Sequence, residues 1–225
     1  MKLLTSNTKL RGDIGMEALK AKSKISDFIQ ERNITSLYHF TKAENLHGIL
    51  RNGLLSRRTL DKNDITYSYN DEVRLEGKLN ANCLSISFPN YRMFYRYRNQ
   101  SIDNEWCVIE FNPRILYEKE CLFCIENAAS NNETMRSDEE KKGIEGLKQL
   151  YYNEEHRRQL NLSSDFTTNP QAEVLVLDDI GTEYIEKIYF RNEPIKFPIG
   201  DYQEYSFWTW QYLFDARSDY SYWRK

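Results

Sequence analysis

The sequence predicts an α+β fold, and three observations carry that expectation. Strand-like alternation and helical periodicity both occur, without the regular strand–helix–strand order of a doubly wound parallel sheet. Neither an internal repeat nor a Pro/Gly/Ser-rich linker divides the 225 residues, so residues 1–225 read as one domain. A hydrophobic share of 40% beside 29% charged residues supplies enough apolar side chains for one substantial core.

The elements follow in chain order. Residues 15–32 carry Met16, Leu19, Ile25, Phe28 and Ile29 in an approximate helical stripe, with charge on the opposite face. Residues 36–40 read as a short strand. Thr41-Lys-Ala-Glu44 then has the form of a capping box, with Leu46, Ile49 and Leu50 as the buried face of the helix and Gly53 as its left-handed stop. Residues 61–82 are polar and predict a long loop. The alternation over 83–88 predicts a strand ended by Pro89, and 106–111 a second one. Pro113 opens a short helix. Residues 126–146 are acidic and poor in hydrophobics, which predicts a mobile loop or a frayed helix start. Residues 147–160 read as helix and 161–171 as turns. Residues 172–178 and 184–190 predict two more strands. The aromatic stretch 202–225 predicts a docked terminal helix.

Composition narrows the function classes. The net charge of −3 provides no global basic field, so any nucleic-acid contact has to come from a local patch. The first residues lack the apolar core of a secretory signal, and no stretch approaches the length that spans a bilayer. We therefore expect a cytoplasmic protein without membrane contact. Of Cys83, Cys107, Cys121 and Cys124, the last two form a CxxC with no second ligand pair beside it. A reduced core position suits them better than zinc, and no metal is expected.

Four constellations could carry chemistry. His39 and Thr41 stand at a strand end and a helix start, where a ring nitrogen and open backbone N–H groups could meet a ligand; they equally fit an ordinary strand residue and a cap. Glu173 opens an otherwise apolar strand, where a carboxylate either faces a cleft or points to solvent. Between Tyr91 and Arg98, the cations Arg92, Arg96 and Arg98 alternate with aromatic residues such as Tyr95. That pattern fits either a single-strand binding patch or an amphipathic helix with solvated arginines. Arg74 lies in a polar loop with nothing local to mark it.

Taken in order, YHFT at 38–41, NLHGIL at 45–50, NGLLSR at 52–57, the strand before Pro89 with Met93-Phe94-Tyr95, and QAEVLV at 171–176 resemble the DarT family of DNA ADP-ribosyltransferase toxins. The resemblance covers roughly residues 34 to 190. It leaves the helix at 15–32 and the segment 202–225 as additions. It implies an ADP-ribosyltransferase-like split mixed β-sheet flanked by helices and gripping NAD⁺ in a central cleft, with NAD consumed as co-substrate. His39, Phe40 and Thr41 would hold the nicotinamide end, Gly48 would face NAD⁺ from its helix, and Arg74 would close the NAD-binding segment, with Arg58 as competitor. Glu173 would be the catalytic glutamate with Arg74 beside it, and residues 125–172 the substrate-facing segment. The resemblance further implies a single-stranded DNA substrate, with RNA as an alternative, and a cognate antitoxin. The chain departs from thymine-modifying members at SFPNYRMFYRYR, which points toward guanine. The rival readings are transfer to RNA or protein, simple NAD⁺ hydrolysis, and a non-catalytic module that binds single strands.

Overall fold

The computed structural model describes residues 4–68, 77–100 and 104–224, with only the backbone given for 4–16 and 18. Helix α1 (Leu4–Arg32) extends well ahead of the expected 15–32. It buries Ile25, Phe28 and Ile29, whereas Leu19 is 67% exposed and stands off the buried stripe. Strand β1 (Leu37–Lys42) leads through a single 3-10 turn into α2 (Leu46–Asn52) and α3 (Arg57–Lys62). The remaining strands are β2 (Asn82–Ile86), β3 (Trp106–Phe111), β4 (Cys121–Cys124), β5 (Glu173–Val176), β6 (Ile185–Phe190) and β7 (Phe207–Thr209). Between them lie α4 (Tyr91–Gln100), α5 (Ile115–Glu118), α6 (Asn131–Met135), α7 (Gly143–Gln149) and α8 (Glu154–Gln159).

The strands form one mixed sheet in the order β4-β5-β2-β1-β3-β6-β7, antiparallel except for the β6–β7 pair. The pairing of β1 with β2 is confined to Leu37–Ile86 and Tyr38–Ser85, after which the two strands part. On its other side β1 pairs with β3 for its full six residues. The sheet is therefore split at its centre. One face packs on α1, α2, α5 and α7 through Phe28, Leu46, Ile49, Leu116 and Leu147, which forms the main core. The opposite face carries two smaller clusters. One is built on α4 through Tyr91, Phe94 and Tyr97, and the other on Leu122, Cys124 and Leu175.

Several expectations are corrected. No capping box forms at Thr41: the ladder to β3 continues through Lys42, so Thr41 stays in the strand and its hydroxyl accepts from Asn45 Nδ2 at 3.0 Å. Gly53 does stop α2 with φ of +83°, and a Cβ there would come within 2.3 Å of the Ile180 carbonyl, so glycine is required by a close chain crossing. The expected helix over 147–160 breaks after α7. Thr168 takes the Leu150 carbonyl at 2.9 Å, and Asn153, at φ of +56°, caps α8 by accepting from the His156 N–H at 3.0 Å.

Residues 126–146 are not a loose loop. Glu133, 1% exposed, accepts both 2.9 Å contacts from Arg136 Nη1 and the Ile125 N–H at 2.8 Å, while Lys141 Nζ donates to its carbonyl at 2.6 Å. That buried ionic knot replaces the apolar core which the composition lacks. Among its described residues the terminal aromatic stretch docks with no α-helix, only a single 3-10 turn at Gln211–Phe214. Its β-favouring run Phe207-Trp208-Thr209 adds a parallel strand to the open edge of β6. The CxxC is β4 itself, with all four cysteines free thiols. Burial pushes the Cys121 thiol up to about 12 and raises those of Cys107 and Cys124 as well.

Candidate active site

The cleft opens where β1 and β2 separate. It is lined by His39, Phe40 and Thr41 of β1, Gly48 of α2, Cys83 and Ser85 of β2, Met93 and Tyr97 of α4, and Glu173 of β5. The two residues on which the sequence reading most depends thus share one cavity. Topology explains how. His39 Nδ1 lies 2.9 Å from the Cys83 carbonyl, spanning the gap where ladder bonds cease. Cys83 in turn pairs with Leu175, two residues beyond Glu173 on β5. A carbonyl only accepts, so Nδ1 carries a proton in this contact.

Glu173 does not point to solvent. It is 6% exposed, and its carboxylate is gripped from two sides. Oε2 accepts the Ala128 N–H at 2.9 Å, while Oε1 accepts Asn127 Nδ2 at 3.3 Å and Asn90 Nδ2 at 3.4 Å. Donors aimed at both oxygens stabilise the ionised form and fix its plane.

The other expected residues divide. Thr41 is 3% exposed, and Phe40 stacks on Phe94 with ring centroids 4.6 Å apart, so both anchor β1 while they line the cleft. Gly48 faces open space: a Cβ built there meets nothing within 4 Å. Arg74 lies outside the described residues. Its sequence competitor Arg58 does not reach the cleft, whereas Arg57 lines it. Helix α4 is the amphipathic helix of the alternative reading, yet Arg92 and Arg96 remain exposed on its outer face and Tyr95 is 62% exposed. Arg98 departs from that patch. Its guanidinium donates to the Phe214 carbonyl and lies 4.7 Å from the Phe94 ring centroid, so it fastens α4 to the terminal segment instead of facing outward.

Three asparagines were missed. Asn45 bonds both backbone groups of Ser68, from Nδ2 at 2.6 Å and to Oδ1 at 2.8 Å, and so holds the 65–68 wall of the cleft. Asn90 had a readable signal, since an asparagine just ahead of a helix is a preferred cap. Asn127 had none.

The sheet parts at its centre over a cleft that both the held carboxylate of Glu173 and the strand residue His39 line, and the family model that matches the chain is one of ADP-ribosyltransferases. Within the class it belongs to the DarT family: the family model described as "ssDNA thymidine ADP-ribosyltransferase, DarT" matches residues 38–200. Among solved structures, Thermosipho africanus DarTG in complex with ADP-ribose is 20% identical, with a TM-score of 0.57 over 80% of this chain and 51% of that one. This chain therefore spans about half the length of that relative. Thermus sp. 2.9 DarT in complex with carba-NAD⁺ is 15% identical, with a TM-score of 0.53 over 80% of this chain and 98% of that one. The same Thermus protein in complex with ADP-ribosylated ssDNA gives 14% identity and a TM-score of 0.50 over 81% and 97% of the two chains. At these identities the likeness is one of fold. No curated protein sequence matches the chain.

Proposed function

We propose that the protein transfers ADP-ribose from NAD⁺ to a base of single-stranded DNA, with Glu173 as the catalytic carboxylate. The observation that carries this reading is the grip of the Ala128 N–H and the Asn90 and Asn127 amides on buried Glu173, in the cleft that also holds His39. The cleft suits NAD⁺: Gly48 leaves room along one wall, and His39 supplies a ring nitrogen at the split. Solved relatives hold carba-NAD⁺ and ADP-ribosylated ssDNA, which supports the same ligands here.

In the proposed reaction the bond from ribose C1′ to the nicotinamide nitrogen breaks, and nicotinamide leaves with the bonding pair. Positive charge grows on the ribose, as in glycoside cleavage. Glu173 accepts from the ribose 2′-OH and stabilises that charge. A fixed group of this kind is worth on the order of 3 kcal/mol in a water-poor site. A base nitrogen then bonds to C1′, and its proton passes to solvent. His39, Phe40 and Thr41 hold the nicotinamide end, and Arg74 orients the base. An unpaired base reaches C1′ most readily, which favours single strands. Arg92, Arg96 and Tyr95 supply the phosphate and stacking contacts for the flanking strand.

We further propose guanine as the acceptor. The segment that departs from thymine-modifying relatives, 87–98, includes Asn90, whose amide touches Glu173, so the departure falls beside the reacting carbon. The family description names thymidine, which makes thymine the reading to test against. A toxin of this type is held in check by a cognate antitoxin, the partner we expect. The deciding experiment incubates wild type and Glu173→Gln with NAD⁺ and separate single-stranded DNA, RNA and protein pools, followed by nucleoside mass spectrometry. The expected result is ADP-ribosyl-guanine in DNA with wild type only, the variant falling by about 100-fold or more. An equally active Glu173→Gln would overturn the assignment, and ADP-ribose on thymine, RNA or protein would replace the proposed target.

A further inference from the structure

We propose that Asn90 is a positioning residue for the reactive carboxylate, and that through it helix α4 becomes part of the reacting centre. The inference rests on the proposed role of Glu173. Asn90 is 1% exposed, so it acts through Glu173 and not on substrate. It sits at the end of a tight turn in which Ser87 adopts φ of +59°, a conformation uncommon outside glycine. Its backbone is pinned at both ends, the N–H donating to Ser85 Oγ at 3.2 Å and the carbonyl accepting from Phe94 N–H at 2.9 Å.

Its side chain does two jobs with two atoms. Oδ1 accepts the Met93 N–H at 3.2 Å and caps α4, and Nδ2 donates to Glu173 Oε1 at 3.4 Å. The two contacts fix the amide orientation, because an N–H requires the oxygen and a carboxylate requires the nitrogen. Ser, Thr and Asp cap helices as well as Asn does, or nearly so. Asp has no proton to donate once ionised, and the single hydroxyl of Ser or Thr lacks the reach of a branched amide. Only Asn meets both demands here. The same Oε1 receives Asn127 Nδ2 at 3.3 Å, so among the described residues loss of Asn90 leaves that oxygen held from the 125–130 turn and no longer from α4.

Substitutions that keep the cap and remove the donor separate positioning from simple folding. We would measure kcat, the KM for NAD⁺, the pH profile and the Tm of full-length Asn90→Ser and Asn90→Asp, with a single-stranded oligonucleotide as acceptor. The expected result for both is an NAD⁺ KM within about twofold and a kcat lowered by about tenfold, the scale of one hydrogen bond to a charged group; Asn90→Ser keeps a Tm near wild type, whereas Asn90→Asp, which buries a second carboxylate beside Glu173, lowers it. Asn90→Asp adds a distinguishing mark. A second carboxylate beside Glu173 disfavours its ionised form, so the acid limb of kcat moves to higher pH. Should Asn90→Asp fail to fold, Asn90→Ser alone carries the test through kcat. Wild-type kcat and an unmoved acid limb in these capped variants, alongside an inactive Glu173→Gln, would overturn this inference and leave the function standing. A fully active Glu173→Gln would remove the ground from both.

Discussion

A Cβ added at Gly48 meets nothing within 4 Å among the described residues, and the residue lines the cleft, so a leucine there would extend into that space. Replacing a glycine inside α2 also favours the helix by up to ~1 kcal/mol. Gly48→Leu should therefore hold or raise the Tm while it raises the NAD⁺ KM at least tenfold, a pairing that steady-state kinetics and a thermal melt check together. The arginines of α4 separate in the same manner. Losing Arg92 or Arg96 should weaken oligonucleotide binding and lower its salt slope by ~0.7 for each phosphate left without its cation. Losing Arg98, which holds the Phe214 carbonyl, should lower stability and leave that slope alone. Salt-dependent anisotropy titrations distinguish the three. His39 and Glu173 stood out as polar residues in apolar strands, but only the family resemblance assigned them to a site. Asn127 was not readable, because its worth lies in what the fold brings opposite it, and Asn90 showed only its cap position and not its carboxylate partner.

At the scale of elements, the turn-rich stretch 129–142 is held largely by charge, while Leu147 of α7 beyond it packs into the main core. Glu133 is the centre of its knot, and Glu133→Ala would deprive Arg136 and Lys141 of the buried carboxylate that pairs with them at 2.9 and 4.0 Å. Removing one partner of a buried ion pair costs ~3–5 kcal/mol. We expect a loss of that order in urea unfolding, together with reduced transfer, since the same knot fixes Ile125 and thereby the Asn127–Ala128 turn that grips Glu173. This knot explains the misreading of 126–146 as loose. Acidic composition signals solvation unless the matching cations fold back onto it, and hydrophobic periodicity does not register such pairing. The strands, by contrast, were found almost to the residue at 106–111 and 184–190, where β-branched and aromatic runs speak locally. β4 was recognised as buried but not as a strand, being four residues long.

For the whole molecule, the terminal segment reaches back across the sheet. Arg217, 2% exposed and paired with Asp219 at 2.6 Å, donates to the carbonyls of Thr167 and Thr168 at 2.8 and 3.1 Å. The lead-in to Glu173 is thereby held by residues beyond the span that the family model matches. Buried phenols give the molecule a further signature. Burial pushes Tyr38 up to about 12 despite a lowering bond from Ser36, and burial raises Tyr151 as well. For a phenol raised on folding, the unfolded chain releases the proton first. The stability these groups contribute is complete below about pH 10 and disappears as pH rises through their folded values. Alkaline titration followed by ultraviolet difference spectra should show the exposed tyrosines ionising first, and the buried set only with loss of structure.

The parted strands have a consequence for how the molecule rests between turnovers. β1 and β2 are sewn by two rungs and one imidazole, while β1 and β3 share six. The seam nearest the chemistry is thus the thinnest in the sheet. On the proposed reading, a dinucleotide bound across it would tie the two halves together as thread, and cutting it would remove that tie along the line where the next molecule must enter.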